Sequence, residues 1–220
     1  MGSSDIDLLL QSLPQLGRGA LYTAGIALSS IAFSAAGGLA YGALRTSRLP
    51  LLRFALRTYL ELFRAVPILV WLFFFFFGLP IFFGLNIPSF QCAVLVLSMW
   101  GITEMGEVVR GALQSLPKGQ REAGRAIGLS ERQLLIYVLL PAAVRRMLPP
   151  GINVCTRLIK TTSLTVLIGV TEAIKAGQQI IERTGESLLI YSALFLFYFV
   201  LCYPLSALSR RLELRWNPQG

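Results

Sequence analysis

Long apolar stretches, separated by short basic ones, set the pattern of this chain. Five stretches approach the roughly 20 residues that a helix needs to cross a bilayer. They run at about 19–44, 56–79, 90–112, 150–170 and 188–208. The first is rich in Gly and Ala, which suits close helix packing. The second contains the run Phe73 to Phe77, read as lipid-facing or bundle packing. The expected fold is an all-α integral membrane protein with five transmembrane helices, a single transmembrane domain over residues 1–220.

Charge then orients the helices. Arg45, Arg48, Arg53 and Arg57 flank the first loop, and Lys118, Arg121, Arg125, Arg132, Arg145 and Arg146 fill the third connection. Arg210, Arg211 and Arg215 lie in the tail. Five crossings put all three groups on one side. The other side holds only Lys175, Arg183 and, at its border, Arg18. Basic loops face the cytoplasm, so the N-terminus is expected outside and the C-terminus inside.

Composition changes this picture little. The chain is 55% hydrophobic with 14% charged residues, where a soluble domain carries about 25%. The net charge of +9 belongs to membrane topology and not to a nucleic-acid face. There is no His, which removes the commonest general base and metal ligand. Cys92, Cys155 and Cys202 lie far apart in apolar sequence and read as small buried hydrophobes. Asp5 and Asp7 stand where a signal peptide would be basic. Trp216, beyond the basic tail, fits an interfacial anchor.

One connection differs from the others. Residues 114–149 are polar, basic and long. Gly119 to Tyr137 reads as helix, turn, helix, with Gly128 at the break and Ser130 and Gln133 as a capping box. Pro141 and the Pro149–Pro150 pair are expected to end that stretch. Spacing alone leaves two readings, a docking element or an amphipathic hairpin on the membrane surface.

Glu122-Ala123-Gly124, then Gly128, then Leu140-Pro141, resembles the cytoplasmic loop signature of ABC importer permeases. That pattern is Glu-Ala-Ala, three residues, Gly, nine residues, Ile, one residue, Leu-Pro. Gly124 replaces the second Ala, and Val138 stands for Ile. Tyr59 to Pro67, Glu107, Arg110-Gly111, Gly119-Gln120, Asn153, Lys160 and Thr162-Ser163-Leu164 narrow the resemblance to the polar amino acid branch, across residues 19–210.

The resemblance implies a multi-pass permease in the cell (inner) membrane of a prokaryote. It would pair with a second permease subunit, identical or homologous, and with an ATPase dimer. An extracytoplasmic amino-acid-binding protein and membrane lipid complete the implied partners, with no nucleic acid. A coupling helix at about Lys118 to Ile127, within the 118–130 loop, would enter a cleft of the ATPase. Glu122 would meet a polar partner there. Ala123 and Gly124 would allow close approach, Gly128 would turn the chain and Pro141 would close the motif. No Gly-rich phosphate loop is present. The chain is therefore expected to be no enzyme and to bind no cofactor, with ATP and Mg on the ATPase. Residues 172–186 read as either a contact for the binding protein or a plain connection.

Ionisable residues inside a membrane helix are functional candidates by default. Glu104 and Glu107 are three apart in the third helix, as are Arg157 and Lys160 in the fourth. At about 1.5 Å per residue, Arg157 is expected roughly 10 Å from the cytoplasmic end of its helix. Glu104 is expected at a similar depth, so the two are within reach of each other. In one reading these charges pair with each other and hold the bundle. In the other, a cation reads the α-carboxylate of the substrate and Glu104 its ammonium. Glu107 and Arg110 are assigned to structure; Glu104, Arg157, Lys160, Thr162 and Ser163 to the substrate. Glu61 and Arg64 are expected to form an internal ion pair. Against the family pattern, Glu104 replaces a common aromatic, Arg157 an uncharged residue and Thr161 a frequent Asp.

Three rivals remain. An ATP-independent facilitator or channel needs no docking helix. An intramembrane enzyme would have to work through Ser163 or Glu104, which no base–nucleophile motif surrounds. A structural assembly protein has no use for clustered intramembrane charge.

Overall fold

Among the described residues, 3–216, the computed structural model is built from helices joined by short links. They are α1 (Ser3–Leu44), α2 (Pro50–Ala65), α3 (Ile68–Phe83), α4 (Ser89–Gln114), α5 (Lys118–Ala126), α6 (Glu131–Ile168), α7 (Ala173–Thr184) and α8 (Ser187–Trp216). Four are long and apolar enough to span a membrane, and α2 with α3 makes a fifth, broken candidate.

The direction of each helix follows from its contacts. Gly25 of α1 lies beside Phe90 of α4, Gly37 beside Ile102 and Gly42 beside Gly106. Positions rise together, so α1 and α4 run parallel. The α2–α3 pair must therefore carry the chain back across, making one net crossing. Met105 meets Gly151, and Ser115 accepts from Arg146, so α6 runs antiparallel to α4. The Ser209 hydroxyl donates to the Pro149 carbonyl at 2.8 Å and Cys202 clusters with Ile159, which sets α8 antiparallel to α6. All three basic regions thus meet at one end of the bundle, which we call the basic end.

The α1–α4 crossing is close because small residues line it. A Cβ at Gly42 would stand 2.5 Å from the Gly106 carbonyl oxygen. Ile26, Leu72, Val96, Leu97 and Leu158 form the core below this crossing and are fully buried. Phe75 and Phe76 pack on that core, while Phe74 and Phe77 are exposed. Cys92 and Cys202 are buried, and Cys155 is half-buried.

Proline explains most departures from the expected boundaries. The second stretch is two helices bent by 101°, not one helix over 56–79. Pro67 has no N–H and forces Val66 into an extended conformation, φ −104° and ψ 129°. Pro141, Pro149 and Pro150 do not end the connecting stretch: α6 runs through all three. The chain widens into a π turn over Leu135–Leu139, just before Pro141, which relieves the clash of the ring with the preceding turn. The π turn Phe74–Gly78 precedes Pro80 in the same way. Because α6 begins at Glu131, Arg157 sits about 39 Å along it, not 10 Å. Helix α1 begins sixteen residues earlier than expected, at Ser3, and continues through Pro14. Its early Leu9 and Leu16 pack against Ala173, Ile180 and Ile190.

Candidate functional site

The basic hairpin is determined locally. Pro117 starts α5, and Gly128 takes the left-handed conformation, φ +83°, which only Gly adopts without strain. Ser130 Oγ accepts from the Gln133 N–H at 3.3 Å, and Gln133 Oε1 accepts from the Ser130 N–H at 2.9 Å. This is the expected capping box. Gly124 faces inward: a Cβ there would meet Leu134 Cδ1 at 2.5 Å. Its smallness therefore serves the hairpin itself. The outer face carries Glu122, Ala123 and Ile127, the last 78% exposed. Among the described residues Glu122 has no ion-pair partner. It lines a groove of about 320 Å³ with Lys118, Arg121, Arg125 and Leu139.

Two carboxylates on α4 gather four arginines. Glu104, 13% exposed, pairs with Arg157 of α6 and with Arg64 of α2 at 3.6 Å. The Arg157 guanidinium also lies 5.5 Å from the centre of the Trp100 ring. One turn on, Glu107 accepts from Arg110 at 2.8 and 3.0 Å and from Arg45, just past the end of α1, at 2.6 Å. The two acids tie α1, α2 and α6 to α4. The expected Glu61–Arg64 pair does not form. Glu61 approaches Arg57 at 3.9 Å on the exposed face of α2, and Arg64 turns to the half-buried Glu104. An acid in low dielectric attracts a cation more strongly than a solvated one.

Lys160 stands apart from this network. One turn beyond Arg157, it forms no ion pair among the described residues and is exposed. About 15 Å of helix separates it from Ile168, roughly half the hydrocarbon thickness. With Ser163 it lines a cavity of about 560 Å³ walled by Tyr191, Phe195, Tyr198 and Tyr203 of α8. The Ser163 hydroxyl donates to the Lys160 carbonyl at 2.8 Å. Thr162 is fully buried and donates to the Ile159 carbonyl at 2.7 Å. The five substrate candidates thus divide between an ion pair, a cavity and a buried turn.

Sequence reasoning missed Glu172 and the pairing of Arg45. Glu172 is fully buried at the start of α7. It accepts from the Lys175 N–H at 2.9 Å, the Tyr198 hydroxyl at 3.2 Å and the Thr23 hydroxyl at 3.4 Å. Burial pushes its carboxyl above the ordinary value, against the pull of the backbone N–H groups. The available signal was an acid just before an amphipathic stretch, a helix cap. Arg45 served only to orient the chain.

Known proteins match this architecture over its whole length. Residues 15–218 match the family described as "Binding-protein-dependent transport system inner membrane component". The chain is 38% identical to the glutamine transport system permease protein GlnP of Escherichia coli K12, over 96% of this chain and 97% of that one. It is 36% identical to a probable glutamine ABC transporter permease of Bacillus subtilis, over 90% and 91%. A solved amino acid ABC transporter with histidines superposes with a TM-score of 0.87 at 25% identity, covering 98% of this chain and 100% of that one. An inward-facing MetNI methionine ABC transporter shares the fold with a TM-score of 0.70 at 21% identity, covering 99% and 100%. The chain belongs to the binding-protein-dependent transport system inner membrane component family, as a multi-pass permease of the prokaryotic cell membrane.

Proposed function

We propose that this chain forms half of the translocation pathway of an ATP-driven importer for a polar amino acid. The observation that carries this reading is the capped hairpin at the basic end. It buries Gly124 and Leu134 inward and leaves Glu122, Ala123 and Ile127 exposed, with Glu122 in no ion pair among the described residues. A rigid element with an unsatisfied acid and an exposed Ile is suited to another protein's cleft. The positive-inside rule puts this end in the cytoplasm and the N-terminus outside. The partner there is an ATPase dimer, which holds ATP and Mg; this chain binds no cofactor. A second permease subunit, identical or homologous, completes the pathway. A binding protein delivers solute at the α7 end. Rocking of the two permeases gives alternating access.

Lys160 reads the carboxylate of the solute. A lone ammonium near mid-bilayer is costly unless it faces a wet cavity or an anion, and its cavity has the size of a small-molecule site. Arg157 is already matched by Glu104 and by Trp100. L-Glutamine, the solute in the names of two relatives, is the first probe.

The test is Glu122→Arg in the reconstituted complex with its ATPase and binding protein. The expected result is ATP hydrolysis without uptake, or failure to assemble. Normal uptake by this variant would reject the docking role.

A further inference from the structure

A second polar cavity, of about 540 Å³, opens at the basic end between α4, α6 and the last turns of α8. Arg145, Arg146, Asn153 and Trp216 line it, over a wall made by Pro149 and Pro150. Arg146 donates to the Ser115 carbonyl, which fixes its guanidinium at the rim. Arg145 forms no ion pair among the described residues. Glu213 is the acid in the lining, and Arg210, Arg211 and Arg215 flank it on α8.

Depth identifies the occupant. Counting along α6 from Ile168, Arg146 lies about 33–37 Å away. Counting along α8 from Ser187, Trp216 lies about 43 Å away. The hydrocarbon core is about 30 Å thick and the bilayer with its headgroups about 40–45 Å. With Ile168 and Ser187 taken as the outer edge of the hydrocarbon core, Arg146 falls in the inner headgroup layer and Trp216 at its aqueous border, near the level where Trp anchors. The cavity joins cations and an amide to an apolar wall, the chemistry of a phosphodiester with its acyl chains. Basic pockets between spanning helices on the cytoplasmic side hold anionic lipid headgroups.

We propose that this cavity binds one anionic phospholipid of the inner leaflet. Arg145 and Arg146 hold the phosphate, and the Pro149–Pro150 wall, one turn deeper, carries the first acyl carbons. A lipid seated there bridges α4, α6 and α8 just behind the hairpin. The inference uses the topology proposed above but not the identity of the solute.

The complex is purified, reconstituted in nanodiscs of phosphatidylcholine mixed with phosphatidylglycerol, and stripped progressively with detergent. Native mass spectrometry then counts retained lipid. Wild type is expected to keep one phosphatidylglycerol per chain. Arg145→Gln with Arg146→Gln is expected to bind it on the order of tenfold more weakly or worse. Ala142→Leu, which narrows the cavity and leaves all charges in place, is expected to lose it too. Arg210→Gln with Arg211→Gln, outside the lining, is expected to retain it. Equal loss in that last variant means diffuse surface attraction and overturns the proposal. Retention by both cavity variants overturns it as well. Displacement by inorganic phosphate alone would mark a free-anion site and also reject the lipid. The readout does not depend on transport, so a failed importer reading and a failed lipid reading remain distinguishable.

Discussion

Arg157 and Lys160 stand one turn apart on α6, and their surroundings are opposite. Arg157 is held by Glu104 and lies over Trp100, although its side chain is 53% exposed. Among the described residues Lys160 forms no ion pair, and it opens onto a cavity of tyrosines and phenylalanines. A membrane-embedded cation neutralised by its neighbours ties helices together. One left unneutralised has its counter-charge still to come. The difference separates architecture from binding within a single turn.

The sharpest way to break this comparison is to remove the acid. Glu104→Ala removes the carboxylate that Arg64 and Arg157 share. Loss of a buried partner costs about 3–5 kcal/mol, and the half-exposed arginines bring the expected loss to about 3 kcal/mol or less. Thermal unfolding of the purified complex checks it. Adding Arg157→Ala should recover part of the loss; a strictly additive double variant would deny the pair.

Lys160→Met is expected to leave stability unchanged and to weaken solute binding by about 10- to 100-fold, the value of a hydrogen bond to a charge. Solute-stimulated ATP hydrolysis across a glutamine titration reads this directly. Lys160→Arg should keep part of the response.

Smaller effects sharpen the outlying regions. Ser130→Ala removes one half of the capping box and should cost about 1 kcal/mol, measured as earlier proteolytic cleavage in the 118–134 hairpin. At the other end, burial holds the Glu172 carboxyl above its ordinary value. The folded chain then keeps this proton to higher pH than the unfolded chain. The contribution is complete below the ordinary carboxylate range and is lost as pH rises through the raised value. Glu172→Gln should flatten that fall in thermal stability with pH. An unchanged slope would mean that Glu172 titrates as an exposed acid does.

What was legible in the sequence follows the range of each interaction. The hairpin was readable because Gly128, Ser130 and Gln133 act within a few residues of one another. The long apolar stretches were readable because hydropathy is summed over many residues: four returned as span-capable helices and the second as the bent α2–α3 pair. Proline was misread because its effect depends on what the flanking turn does. Pro67 breaks a helix, whereas Pro141 follows a π turn and passes through. The Glu61–Arg64 pair failed because the nearer sequence neighbour, which is exposed, lost to Glu104, forty residues away and half-buried. Glu172 was missed because Thr23 and Tyr198, which make its site, are distant in sequence.

The account turns on Lys160 as the cation that meets the solute. The direct measurement compares Lys160→Met and Arg157→Met in the same reconstituted complex, by solute-stimulated ATP hydrolysis and by thermal unfolding. The account predicts that Lys160→Met loses stimulation at unchanged stability, and that Arg157→Met keeps stimulation at lowered stability. The reverse assignment, with stimulation lost only in Arg157→Met, would contradict it.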